Sequence, residues 1–177
     1  PDDIVRAWQP NTSLVTLSHS SNVTGVTQEV ESIIKVAQER EALSLLDASK
    51  SLGHVAFSQY ESMADIVVSP GHKWLMGMHG IAVLYAREGI HFDPLIQGGT
   101  GSTSESLEMP VEMQDQVEVG TLDFPAAAAL LAGCKWLKEE RMESVTAACK
   151  GCAQACYDEF RIGEKCIFKH LTTRLSV

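Results

Sequence analysis

The sequence predicts an α/β fold in which a mostly parallel sheet is covered by helices on both faces. Three features carry that prediction. Short β-type runs alternate with a segment of helical periodicity. Those runs are apolar at consecutive positions, as strands buried on both faces are. Each run also stops at a cluster of polar groups, and in parallel sheets ligands gather beyond the carboxyl ends of the strands.

In chain order, LVTLS at 14–18 is the first β-type run, and the polar turn HSSNVTG follows it. Between Gln28 and Arg40, the residues Val30, Ile33, Ile34, Val36 and Ala37 recur at the spacing of one helix face. Leu43 to Leu46 is the second run, closed by Asp47. Ile66 to Val68 is the third, closed by SPGHKWLMG, and Ile81 to Tyr85 is the fourth. The polar clusters are His19 to Asn22, Asp47 to Lys50 and Ser69 to Lys73. From Asp93 to Gly120 the chain turns loop-like, with GGTGSTSES rich in glycine and hydroxyls. Pro125 to Glu140 predicts a helix, with proline at its start and the charged end KEER. Met142 to Phe160 predicts a second helix, lightly broken at Gly151. Gly163 would end it, and Cys166 to Phe168 would form one more strand.

The bulk composition excludes several classes. The 177 residues suffice for one domain with a real core, and 45% apolar with 21% charged residues is the balance of a globular protein. With 14 basic against 23 acidic residues, the net charge of −9 argues against a nucleic-acid or anionic-membrane surface. No apolar stretch reaches the ~18 residues of a membrane span. The N-terminus, PDDIVRAW, has no secretion-signal pattern and no initiating Met, as expected of a fragment or processed product. Five cysteines, an odd number confined to the last quarter, point to a reducing, cytoplasmic compartment.

Several residues could carry chemistry. Asp47 ends a strand, where it either caps a turn or stays ionised beside a buried cation. Lys73 is either a surface charge or an amine whose pKa is depressed for attack on a carbonyl. Desolvation and a neighbouring cation such as His72 would act in that direction. The GGTGS loop could offer backbone N–H groups to a phosphate, but it has neither Walker A nor dinucleotide-fingerprint spacing. Cys149, Cys152 and Cys156 share a helix face. A buried stripe of small residues, with Ala148, Ala153 and Ala155, explains them better than a metal site, which would need a second ligand pair.

Taken together and in order, SHSSNVTG, LLDASKS, DIVVSPGHKWLMG, PLIQGGTGSTSES and VEVGTLDFP resemble the class V aminotransferase family of pyridoxal-phosphate enzymes, and within it the cysteine desulfurase-like branch. The resemblance covers about residues 14 to 137. It implies the fold-type-I large domain over residues 1–140, present in part. It also implies the connecting helix and first strand of a small domain over 141–177. Lys73 would bind pyridoxal 5'-phosphate as a Schiff base, and Asp47 would pair with the protonated ring nitrogen. Asn22 would donate to the ring oxygen, as would Lys50, which stands where the family usually has Gln. His72 would reach the phosphate. Thr100 would reach the phosphate of the other subunit's cofactor, so a homodimer is implied.

The implied reaction takes L-cysteine to L-alanine and an enzyme-bound persulfide, with a possible sulfur-acceptor protein as partner. The alternatives are a pyridoxal-phosphate aminotransferase or lyase acting on another amino acid, or an inactive truncated relative. Lys50, Pro70 in place of the usual Ser or Thr, and the expected missing ends favour the last, and Gly77-Met78-His79-Gly80 also replaces the family's Gly-Pro-x-Gly. None of the five cysteines stands where the family's sulfur-accepting cysteine would, and the substrate-binding arginine is not found.

Overall fold

The computed structural model describes residues 2–55, 63–101, 105–140 and 142–160. Helix α1 (Asp2–Ala7) precedes strand β1 (Leu14–Ser18). Helix α2 (Val30–Glu39) leads into β2 (Leu43–Asp47), then come β3 (Ile66–Pro70) and β4 (Ala82–Ala86), and α3 (Met113–Val117), α4 (Phe124–Glu139) and α5 (Met142–Phe160) follow. The strands form one sheet in the order β1-β2-β3-β4. The first three are parallel and β4 is antiparallel. The connection after β3 explains that reversal. It is an irregular loop without a helix, and such a link returns the chain antiparallel to the strand it leaves.

Helix α2 buries the face that the periodicity predicted, with Val30, Ile33, Ile34 and Ala37 inside. Its exposed side carries the Lys35–Glu31 ion pair at 2.6 Å. Val30 and Ile34 pack on Leu46, Ala48, Ala64 and Val67. Ile33 and Ala37 pack on Val15, and the cluster is flanked by Ile4 and Trp8 around α1. Strand alternation puts Leu14 and Leu43 on the other face, where they remain exposed.

The amino end of the sheet is tied by Asp65, which is 4% exposed. Its Oδ2 accepts from the Ser44 N–H and the Ser44 hydroxyl, both at 2.8 Å. Its Oδ1 accepts from Arg87 Nε at 2.7 Å. One carboxylate thus links the start of β2 and the residue after β4 to the residue before β3. Burial alone would raise the Asp65 pKa. The Ser44 amide, the Arg87 guanidinium and the Ser44 hydroxyl outweigh it and hold the carboxyl below its ordinary value.

Helix α4 begins as the sequence indicates. Asp123 is the N-cap, accepting the Ala126 N–H at 3.0 Å, and proline follows in the first turn. Helix α5 runs through Gly151 without a break, because a single glycine weakens a helix without ending it. The expected buried stripe on α5 is not formed. Cys149 is half-buried, whereas Cys152, Cys156, Ala148, Ala153 and Ala155 are exposed, because no described element packs on that side. Gly163 and the expected strand at 166–168 lie outside the described residues.

Candidate active site

The carboxyl ends of β1, β2 and β3 lie side by side because these strands are parallel and in register. Ser18 is paired with Asp47, and Asp47 with Val68. Backbone bonds carry the alignment one residue further: the His19 N–H donates to the Asp47 carbonyl and the Ala48 N–H to the Val68 carbonyl, both at 2.9 Å. The chain therefore leaves all three strands at one edge. Asn22 follows β1, Lys50 follows β2, and His72 and Lys73 follow β3. With Asp47 itself, five of the six residues singled out in the sequence belong to this edge.

Asp47 is half-buried, and its Oδ1 accepts the Ser49 N–H at 2.9 Å. The turn-capping reading is thus correct for one oxygen. Among the described residues Ser49 is the only partner of this carboxylate, so the second oxygen remains available to a ligand. Lys73 is also half-buried, and its Nζ has no hydrogen bond or ion pair among the described residues. Lys50 is half-buried, whereas Asn22 and His72 are exposed. The His72 ring stacks on His79, with centroids 4.2 Å apart and planes 25° from parallel.

Glycines hold the Lys73 loop close to its surroundings. The Gly71 N–H donates to Ile81 O at 2.9 Å, the Gly77 N–H to Gly71 O at 2.8 Å, and the Met76 N–H to Lys73 O at 3.1 Å. A Cβ on Gly77 would lie 2.9 Å from the Gly71 carbonyl oxygen. One on Gly133 of α4 would lie 2.1 Å from the Leu75 carbonyl oxygen. The glycines around His72 and Lys73 thus allow close backbone approach. Gly53 has φ +103°, and its Cβ would lie 2.4 Å from the Trp74 carbonyl oxygen, so this position excludes a side chain on both counts.

Pro70 sits in β3 without disrupting the ladder. Because Gly71 donates to β4, alternation turns the Pro70 nitrogen toward β2, beyond Asp47, where that pairing has ended. Ser69 is buried, and its Oγ faces the Ala48 carbonyl at 3.5 Å.

Thr100 lies apart from the strand ends, in a loop tied to the segment before α4 by the Gly120 N–H, which donates to the Gly99 carbonyl at 2.8 Å. The sequence reading missed a second contact at the lysine loop. His54 stacks on Trp74, with centroids 4.1 Å apart and planes 15° from parallel, and Thr146 of α5 donates to the His54 carbonyl at 2.6 Å. Burial pushes the His54 imidazole below its ordinary pKa, with the nearby Ser51 carbonyl partly opposing. Nothing in the local pattern around His54 signals this contact, because it depends on tertiary approach.

The profile of the Aminotransferase class-V family matches residues 1–174. The chain belongs to the class-V aminotransferase family. A Pyrococcus abyssi protein named "probable cysteine desulfurase" is 35% identical to this class-V chain over 140 residues, covering 75% of the chain and 34% of the relative. The solved apo structure of a cysteine desulfurase from Thermococcus onnurineus superposes with a TM-score of 0.66 at 32% identity, over 74% of this chain and 34% of that one. A cysteine desulfurase from Escherichia coli reaches a TM-score of 0.81 at 21% identity, over 92% of this chain and 41% of that one, a likeness of fold. The class-V chain thus spans about a third of the length of the curated relatives it matches. Its sheet, dominated by parallel strands and flanked by helices, is the fold-type-I arrangement in part. Among the described residues, no helix is long and apolar enough to cross a membrane.

Proposed function

We propose that this chain is the cofactor-holding part of a cysteine desulfurase-like enzyme that uses pyridoxal 5'-phosphate. One observation carries the reading: Asp47 and Lys73 leave the same edge of adjacent parallel strands, each with unused bonding capacity among the described residues. That pair fits a cofactor with a cationic ring nitrogen at one end and a carbonyl at the other. When bound, pyridoxal phosphate supplies an electron sink for bonds at the substrate α-carbon.

The chain's own groups have separate tasks. The Asp47 carboxylate keeps a ring proton in place. Lys73 would hold the cofactor through Nζ, and the same amine is the group that would move the substrate α-proton. Asn22 and Lys50 donate to the ring oxygen, His72 reaches the phosphate, and Thr100 reaches that of a second subunit in a homodimer. Residues 1–140 form the cofactor-binding unit, and 141–177 begin a second unit. The names of the relatives support L-cysteine as substrate, with alanine and an enzyme-bound persulfide as products and a separate protein as sulfur acceptor. The cysteine usage supports a cytoplasmic site.

A second reading, a relative with weakened cofactor hold, has its own support. Pro70 lacks a hydroxyl, the Ser69 hydroxyl faces the interior, and Lys50 adds a charge at the ring oxygen. One experiment separates the two. The protein is mixed with pyridoxal phosphate, reduced with borohydride and mapped by peptide mass spectrometry. The expected result is a yellow colour on mixing that borohydride bleaches, leaving a reduced pyridoxyl label on Lys73 that is absent from Lys73→Ala. A label on Lys50, or on no lysine, would overturn the assignment.

A further inference from the structure

We infer that His54 and Trp74 are the positioning pair for Lys73, and that Thr146 couples this pair to helix α5. The inference rests on the reading of Lys73 as the cofactor-bearing amine. Lys73 precedes Trp74 directly, so the orientation of the Trp74 peptide fixes where the Lys73 side chain starts. Two consecutive residues grip Trp74. Gly53 lies under its carbonyl at a distance that admits no side chain, and the His54 ring lies flat against its indole.

The grip has an anchor of its own. Thr146 Oγ1 donates to the His54 carbonyl at 2.6 Å, although the Met142 carbonyl, 2.9 Å away on the same helix, competes for that hydrogen. A hydroxyl in a helix interior ordinarily bonds back to its own turn. Here it also reaches across 92 residues to the segment that holds the lysine loop. On the far side of the loop, Gly133 of α4 admits the Leu75 carbonyl. The residues that follow Lys73 are therefore held by residues 53–54 at Trp74 and by α4 at Leu75, and α5 steadies the first of these holds. The lowered pKa of His54 favours a neutral ring, which stacks on indole without a desolvated charge.

Amide hydrogen exchange of the full chain tests the clamp without cofactor, at Met76 and Gly77, whose N–H groups bond to Lys73 and Gly71 within the loop. In His54→Ala, exchange at these two amides should rise tenfold or more while His19 and Leu43 in the sheet stay protected. Borohydride-fixed labelling of Lys73 should slow in parallel. His54→Phe, which keeps a flat ring, should restore both. Wild-type exchange and labelling in His54→Ala, or no rescue by His54→Phe with the sheet intact, would overturn the inference. If the wild type takes no label on Lys73, the cofactor reading fails, and the exchange measurement still decides the clamp. If His54→Ala does not fold, Thr146→Val decides. Severalfold faster exchange at Met76 and Gly77 supports the coupling, and unchanged exchange refutes it.

Discussion

Asp65 shows how one buried charge is stabilised at the end of the sheet opposite the candidate site. It accepts three hydrogen bonds, two from Ser44 and one from Arg87, and the arginine is half exposed, so most of the hold is local. Asp65→Ala should cost about 2–3 kcal/mol, the scale of stranding buried donors that had a charged partner. The pH dependence has a definite sign. The folded carboxyl lies below its ordinary value of 3.8, so the folded state prefers the ionised form. That stabilisation is complete above the ordinary value and is lost as pH falls from there through the folded pKa. Urea midpoints of the wild type and Asp65→Ala should therefore differ at pH 7, and the difference should shrink as pH falls below 3.8. An undiminished difference at pH 3 would contradict the assignment. The residues of the opposite edge were legible in sequence because they end apolar runs. Asp65 also borders such a run, but its partners come from distant strands, and no local pattern announces them.

Among the elements, the strands and long helices were legible because each carries a period. Val30, Ile33, Ile34 and Ala37 trace the α2 face, and Pro125 marks the α4 start, whose N-cap Asp123 the structure adds. The short helices α1 and α3 have no such stripe and were missed; neither has a fully buried residue. The burial of α5 was overread, because shared spacing of cysteines and alanines shows which face they occupy and not whether anything covers it. Two glycines in the helices sharpen the contrast. In solvent-exposed helix interiors, Gly→Ala is stabilising by about 0.5–1 kcal/mol. A Cβ on Gly151 meets nothing within 4 Å, so Gly151→Ala should raise the melting temperature. Gly133 is buried, and its Cβ would overlap the Leu75 carbonyl, so Gly133→Ala should lower stability by about 1–3 kcal/mol despite the gain in helix propensity. A Gly133→Ala variant that melts at or above the wild-type temperature would refute this account of α4.

On the scale of the whole molecule, the apolar residues left in water are not scattered evenly. From the end of β4 to the first residue of α4, Leu95 and Leu107 are fully exposed, and Ile96, Val111 and Phe124 are largely so. Isolated exposed aliphatics are ordinary, but here five exposed apolar residues fall within 30 residues of chain around a glycine-rich loop. The same segment holds Thr100, proposed to serve a second subunit's cofactor, and on that proposal this segment is where another copy of the chain would dock. Association should bury this segment and complete both sites together. Light scattering after gel filtration at micromolar concentration should give twice the chain mass or more. Leu95→Ser with Leu107→Ser should shift the population toward monomer, with the far-ultraviolet circular dichroism unchanged because neither side chain packs in the core. Pyridoxal phosphate should then be held more weakly by the double variant than by the wild type, although neither substitution touches Asp47 or Lys73. A wild-type chain that runs as a compact monomer and unfolds in one sharp transition would remove the basis for this surface, and Thr100 would lose its proposed role.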